Sequence, residues 1–224
     1  GTKSQDTVKA YAVQMAQLLM QRQIKALVIA CNTATTAALN HLQDILKDIP
    51  VLGVVAPGAA AAVHATRNQR IAVLATETTI AAHAYQDLIR QRLPNVIIHS
   101  KACSVLVALA EEGMVDNAIT RETLKHYLAE LTDEDTILLG CTHFPVFKNA
   151  LRSLVSPHVQ LVDSADATAE ALKQCLQKHD LCHAPLKRGE VHYMVTDSVG
   201  RFQKVGEIFL QESLLAHEIE LIDV

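Results

Sequence analysis

The chain has 224 residues, of which 50% are hydrophobic and 20% charged, and this fits one large globular domain or two of roughly 100–120 residues. Its 20 Lys and Arg against 24 Asp and Glu leave a formal net charge of -4, which argues against a basic surface for nucleic acid or anionic membranes. No apolar run approaches the roughly 20 residues of a membrane span, and an odd number of cysteines, 5, favours a reducing cytoplasm over a disulfide scaffold.

Short apolar runs alternate with amphipathic patterns along the chain, starting with a helix. That helix is predicted from about Asp6, because Val8, Tyr11 and Met15 recur on one face at helical spacing. The apolar runs are typical of strands covered on both faces, and predict strands at 26–30, 51–55, 71–75, 96–99, 136–140, 159–162, 191–195 and 219–222. Further helices are predicted at 35–47, 79–92, 104–112, 120–131, 145–154, 165–178 and 200–212. This alternation predicts an α/β fold with mainly parallel sheets and right-handed crossovers.

Two interruptions of the pattern predict how the chain divides. One is Ala56-Pro57-Gly58, and the other spans residues 157–164. If the chain leaves one sheet at the first interruption and returns to it at the second, two Rossmann-like lobes result, each with a sheet flanked by helices. The first lobe is then discontinuous and comprises residues 1–56 plus 163–224, whereas the second comprises residues 57–162.

Two of the predicted strands end in similar cysteine-containing segments. One strand leads into Cys31-Asn32-Thr33 and the other into Cys141-Thr142-His143, and a helix is predicted after each segment. Ligands of open α/β sheets bind at the carboxyl ends of the strands. The N–H groups of the following helix favour a thiolate or a bound carboxylate there. A single free cysteine is often only a small buried hydrophobe, but the matched pair favours a chemical role.

Two thiols that face each other across a cleft can invert a stereocentre. One thiolate removes a proton from carbon, the other thiol delivers a proton to the opposite face, and the two exchange roles in the reverse direction. General acid–base catalysis requires each group within hydrogen-bonding reach of the reacting atom. His143, two residues after Cys141, is a natural partner for that thiol.

These segments resemble the two signature segments of the cofactor-independent glutamate racemases. The resemblance extends over essentially the whole chain, and His143 favours the glutamate branch over the aspartate branch, which usually has an acidic residue there. The segments that carry it are 30–35, 55–59, 75–80, 102–103, 111–113, 140–145, 161–165 and 209–210.

The resemblance implies an active site in the cleft between two lobes, with one catalytic cysteine on each lobe. It implies neither pyridoxal phosphate nor a metal, and a bacterial cytoplasmic enzyme that supplies D-glutamate for peptidoglycan; a homodimer is one candidate assembly. The catalytic residues that it implies are Cys31, Cys141, His143 and Glu111. The substrate-binding residues that it implies are Gly1, Asn32, Thr33, Thr76, Thr79 and Thr142.

The start of the chain is where it departs from the family's pattern. The family opens with a strand that leads to an Asp-Ser-Gly segment, and the resemblance implies that this chain starts beyond that strand and lacks the segment. Gly1 itself matches the last residue of a Pro-Tyr-Gly segment that contacts substrate. Asp163-Ser164 looks similar to the missing segment, but it matches a separate C-terminal segment, so no catalytic role is assigned to it.

Other interpretations of the sequence stay open. The chain could belong to a racemase that acts on aspartate or another small acid, or could bind an amino acid without turning it over. The absence of a C-x-x-C pair argues against a thiol oxidoreductase. The polar stretch 178–189 predicts a surface loop, and a nearby C-x3-H-x2-C-H pattern lacks standard zinc spacing and predicts helix-end and loop residues: Cys175, His179, Cys182 and His183.

Overall fold

The computed structural model describes residues 3–183 and 189–223 and confirms the α/β fold class. Within those residues, eight strands alternate with ten α-helices. The strands are β1 (Leu27–Ile29), β2 (Val51–Gly53), β3 (Arg70–Ala75), β4 (Ile97–Ala102), β5 (Thr136–Gly140), β6 (Gln160–Val162), β7 (Tyr193–Val195) and β8 (Ile219–Leu221).

The helices connect the strands and end within a few residues of the predicted positions in most cases. They are α1 (Gln5–Gln21), α2 (Asn32–Ile45), α3 (Val55–Ala65), α4 (Glu77–Ala81), α5 (Ala84–Arg92), α6 (Val105–Glu111), α7 (Ala118–Leu128), α8 (Lys148–Leu154), α9 (Ala165–Lys178) and α10 (Val199–Leu210). Two short 3₁₀ helices span Phe144–Phe147 and Ala216–Glu218.

The largest sheet contains four parallel strands in the order β4-β3-β5-β6. Its two central strands pair in register from Ile71 opposite Thr136 to Ala75 opposite Gly140. Both strands are fully covered, with one apolar core on each face of the sheet. This burial explains why these strands are nearly continuous apolar runs in the sequence. Strand β5 therefore brings the residue after Gly140 to the carboxyl edge at the centre of the sheet.

Two smaller parallel sheets form the rest of the strand structure in the described residues. Strand β1 pairs with β2, and β7 pairs with β8. Helices α1 and α2 pack on the β1–β2 pair around a third apolar core that includes Leu27, Leu42 and Val51. An ion pair between Arg22 Nη2 and Glu220 Oε1, 2.5 Å apart, connects the end of α1 to β8.

The structure corrects two predictions about secondary structure. Ala56-Pro57-Gly58 is not a break, because helix α3 runs through it from Val55 to Ala65. Pro57 lies in the first turn of α3, where its missing N–H group would have no intrahelical acceptor. The helix predicted at 79–92 is two helices, since His83 adopts a left-handed conformation with φ of 52° between α4 and α5.

A buried carboxylate aligns the start of strand β5 with the turn before β3. Asp135 accepts hydrogen bonds from the Thr66 hydroxyl and from the N–H groups of Arg67 and Asn68, each at 2.7 Å. Burial alone would raise the pKa of Asp135, but these bonds and one from the Thr136 hydroxyl outweigh it and lower the pKa. The carboxylate thereby fixes where β5 enters the sheet.

The described parts of the predicted surface loop at 178–189 lie outside regular structure apart from Lys178, the last residue of α9. Residues 179–183 are half-buried or exposed, and residues 184–188 lie outside the described residues. No helix in the described part of the chain is both long enough and apolar enough to cross a bilayer.

Candidate active site

Cys31 lies at the carboxyl end of the β1–β2 sheet and caps helix α2. Its side chain is exposed, and its Sγ atom accepts a hydrogen bond from the Ala34 N–H at 3.5 Å. A sulfur at this position faces the unpaired N–H groups of the helix start, which stabilise negative charge. The Cys31 sulfur is therefore accessible to a ligand and also lies at the start of α2.

Cys141 lies at the carboxyl end of β5 and is 7% exposed. Its Sγ atom is 3.8 Å from His143 Nδ1. Burial is the main cause that raises the pKa of the Cys141 thiol, to about 11. Cys31 also raises this pKa, whereas hydrogen bonds from the His143 backbone and the Thr142 side chain lower it. The two cysteines thus follow strands of different sheets, Cys31 after β1 and Cys141 after β5.

A chain of polar contacts leads away from Cys141 on the side of His143. His143 Nε2 is 3.3 Å from Glu111 Oε1, and Glu111 Oε2 accepts a hydrogen bond from Arg201 Nη2 at 2.8 Å. The ring of Phe209 meets the His143 ring edge-on, with centroids 5.6 Å apart. The structure therefore brings together three of the four predicted catalytic residues, Cys141, His143 and Glu111. The structure adds Arg201 and Phe209, to which the sequence assigned no role.

Three buried threonines lie where α2 meets the carboxyl edge of β3. Thr33 Oγ1 is 2.9 Å from Thr76 Oγ1 and 3.4 Å from Thr79 Oγ1, and the last two are 3.1 Å apart. This cluster connects the segment after Cys31 to the four-stranded sheet. All three were predicted to bind substrate, and the structure places them side by side.

Asn32 is also buried, and its partner is a residue that sequence reasoning missed. The Tyr85 hydroxyl donates a hydrogen bond to Asn32 Oδ1 at 2.5 Å. The Tyr85 ring packs so closely that a Cβ atom on Gly140 would lie 2.9 Å from Tyr85 Cε2. The sequence predicted only that this residue lies in a helix spanning 79–92, and it contained no signal for the direction of the hydroxyl.

Of the two remaining predicted substrate residues, Thr142 is among the described residues and lies at the edge of the site. Thr142 is exposed and, with His143 and Glu111, lines a cavity of about 690 Å³ that continues along α10 and β7. Gly1 lies outside the described residues.

Three residues with no assigned role, Cys103, Asp163 and Cys175, have local structural settings. Cys103 is fully buried, and burial raises its pKa to about 12. Asp163 Oδ2 is 2.5 Å from Lys148 Nζ, and Asp163 Oδ1 accepts from the Ala165 N–H. Cys175 Sγ is 3.7 Å from His179 Nδ1, but no group of three or more potential metal ligands occurs among residues 3–183 and 189–223.

Comparison with known proteins adds an independent line of information. The family model described as Asp/Glu/Hydantoin racemase matches residues 1–172. The chain belongs to this family. Among curated members, the glutamate racemase of Geobacter metallireducens is 42% identical over 94% of this chain and 78% of that protein. The glutamate racemase of Chlorobaculum parvum is 37% identical over 99% of this chain and 82% of that protein.

Solved structures in the racemase family share the fold described above. Glutamate racemase isoform RacE1 from Bacillus anthracis superposes with a TM-score of 0.91 at 32% identity, over 100% of this chain and 83% of that chain. Glutamate racemase from Francisella tularensis, solved in complex with D-glutamate, superposes with a TM-score of 0.88 at 32% identity, over 99% and 82%. The predicted two-lobed α/β architecture is confirmed.

Proposed function

We propose that this chain interconverts L- and D-glutamate without a cofactor, using Cys31 and Cys141 as the two acid–base groups. The observation that carries the proposal is the placement of the two thiols. They stand at the carboxyl ends of strands from different sheets, and Tyr85 links the residues beside them: its hydroxyl bonds Asn32, next to Cys31, and its ring packs against Gly140, next to Cys141. Membership of the racemase family and the similarity to curated glutamate racemases support glutamate as the substrate.

In the proposed reaction, the two thiols act on opposite faces of the α-carbon. A thiol with a pKa of about 11 is protonated at neutral pH, so Cys141 begins as the proton donor in one direction. The Cys31 thiolate removes the α-proton and leaves a carbanion, which takes the Cys141 proton on its other face. Cys31 is then a thiol and Cys141 a thiolate, and this state is the starting point for the reverse direction. His143, next to Cys141, assists proton transfer there.

The substrate's charged groups need partners around the reacting carbon. N–H groups at the start of α2 suit a carboxylate, and the side chains of Asn32, Thr33 and Thr142 suit the carboxylate and amino groups. Thr76 and Thr79, whose hydroxyls contact that of Thr33 or each other, complete the proposed binding residues. The role assigned to Gly1 rests on the family resemblance alone.

The same proposal includes the organisation and setting of the protein. The proposed lobes are 1–56 plus 163–224 and 57–162: the four-stranded sheet lies wholly within the second range, although the boundary at 56 falls inside helix α3. A bacterial cytoplasmic enzyme that supplies D-glutamate for peptidoglycan agrees with the bacterial relatives and with the five free cysteines. A homodimer stays a prediction.

The direct test replaces each thiol in the full-length protein. C31S and C141S should each lower the racemisation rate by at least about 10²-fold, because a general acid or base contributes 10²–10⁴-fold. C182S is the matched control. Cys182 is exposed and has no role in the proposed reaction, so this variant should keep the parent rate. Racemisation of glutamate at the parent rate by C31S or C141S would overturn the proposal.

Isotope incorporation and substrate comparison complete the test. In heavy water, the parent protein should incorporate solvent deuterium at the α-carbon of the product enantiomer. Aspartate offered under the same conditions should turn over more slowly than glutamate. Binding of glutamate without any exchange of its α-proton would identify a binding protein instead.

A further inference from the structure

Helix α10 contacts the His143 side of the site through one of its faces. Arg201 and Phe209 are eight residues apart on α10, two helical turns plus about 80°, and therefore share one broad face of the helix. Arg201 hydrogen-bonds Glu111, and Phe209 packs against His143 and the adjacent core. Helix α10 packs on β8. Glu111 instead ends α6, the helix after β4, and His143 follows β5, and both strands belong to the four-stranded sheet. The contacts thus cross between parts of the molecule with separate sheets.

The contacts of Glu111 bear on which ring nitrogen of His143 carries the proton. Arg201 Nη2 donates to one oxygen of Glu111 at 2.8 Å, which leaves the other oxygen, 3.3 Å from His143 Nε2, as an acceptor. If Nε2 carries the proton and donates to Glu111, then Nδ1 of the neutral ring is the basic nitrogen. Nδ1 is the atom that faces Cys141 Sγ, at 3.8 Å.

We propose that Arg201 is a positioning residue for catalysis. It fixes the Glu111 carboxylate, which orients the His143 ring and selects the tautomer whose Nδ1 can accept a proton from Cys141. This inference rests on the proposed function, in which Cys141 must gain and lose a proton in each cycle. Arg201 acts only through Glu111 and has no direct contact with Cys141.

If Arg201 had a purely structural role, its substitution would lower the stability of the folded protein. The side chains of Arg201 and Glu111 are 61% and 36% exposed, and exposed ion pairs add little to stability. A change at Arg201 should therefore leave the unfolding midpoint close to that of the parent. An effect on turnover without an effect on unfolding would point to positioning.

The test compares R201Q and R201K with R22Q in the full-length protein. R22Q removes a matched exposed Arg–Glu pair at the end of α1, away from His143, and should leave kcat unchanged. R201Q should lower kcat about 10-fold with KM unchanged, well within the 10²-fold that a 1 Å misplacement can cost. R201K keeps the positive charge but loses the planar guanidinium group with its paired N–H donors. Its kcat should therefore be about 3-fold higher than that of R201Q. An unchanged kcat in R201Q, or a change in KM alone, overturns the proposal.

A measurement on the resting protein separates this inference from the proposed function. The ¹⁵N chemical shifts of the His143 ring report its tautomer, and R201Q should move them while R22Q does not. If the parent protein fails to racemise glutamate, the proposed function fails, but the shift of His143 in R201Q still tests the positioning role. Identical His143 shifts in R201Q and the parent overturn that role whatever the activity.

Discussion

Tyr85 connects the two cysteine-containing segments at the level of single atoms. Its side chain is fully buried, with its hydroxyl on Asn32 and its ring against the backbone at Gly140. Burial is the main cause that raises the pKa of Tyr85 above its ordinary value, and the nearby Cys141 and Asp163 add to the effect. The phenol therefore stays protonated and remains a hydrogen-bond donor at any pH at which the enzyme works.

Removing this hydroxyl should cost both stability and activity. Y85F leaves Asn32 Oδ1 buried without its donor, and an unsatisfied buried acceptor costs about 1–3 kcal/mol in the free energy of unfolding. Urea unfolding measures that loss, and the racemisation rate should fall because Asn32 is no longer fixed. Y11F alters an exposed tyrosine on α1 and should change neither quantity. Equal stability of Y85F and the parent would show that the hydroxyl bond contributes nothing.

At the scale of elements, strand β5 delivers Cys141 to the cleft only because Gly140 lets three neighbours approach. A Cβ atom on Gly140 would lie 2.9 Å from Tyr85 Cε2, 3.1 Å from Ala75 Cβ and 3.2 Å from the Leu74 carbonyl oxygen. Two of these neighbours belong to β3, the strand paired with β5. The close packing of β3, β5 and α5 therefore depends on the missing side chain.

G140A and G200A form a matched pair of glycine substitutions. G140A should destabilise the protein by about 1–3 kcal/mol, the usual range for overpacking a core, and should displace Cys141. G200A adds the same methyl group in α10, where it would meet no atom within 4 Å apart from the adjacent helix backbone and chain neighbours, and should be neutral or stabilising by up to about 1 kcal/mol through higher helix propensity. Thermal or urea unfolding of both variants checks the difference, and similar midpoints would contradict it.

At the scale of the whole molecule, the threonine cluster joins the segment after Cys31 to the segment after strand β3 of the four-stranded sheet. Thr33 follows Cys31 on α2, whereas Thr76 and Thr79 belong to the segment after β3. A ligand in the cleft would contact both sides and so would add to this connection. Binding and global stability should therefore be linked.

Glutamate should raise the stability of the whole protein, and Thr33 should be needed for the full gain. At a concentration of 100 times Kd, the free energy of unfolding should rise by about 2.7 kcal/mol. In T33V at the same concentration the gain should fall by about 1.4 kcal/mol if Kd rises tenfold. T123V removes a hydroxyl that only bonds the Ile119 carbonyl on α7, and it should keep the full gain. A full gain in T33V would exclude a role for its hydroxyl in binding.

The fold was predictable where the signal is local. Strands β3 and β5 could be predicted from their apolar runs, because both faces of these strands are buried. The start of α3 was missed because proline and glycine are common both in turns and in a first helical turn. The break at His83 was missed because its left-handed conformation has no glycine to mark it.

By itself, the sequence determined the order of strands and helices, the two cysteine-containing segments and the family they resemble. Each of these depends on neighbouring residues or on a short motif. Only the tertiary structure decided that Tyr85 meets Asn32, 53 positions away, and that Arg201 meets Glu111, 90 positions away. Such contacts depend on how whole helices pack on separate sheets, and no pattern among neighbouring residues encodes that packing.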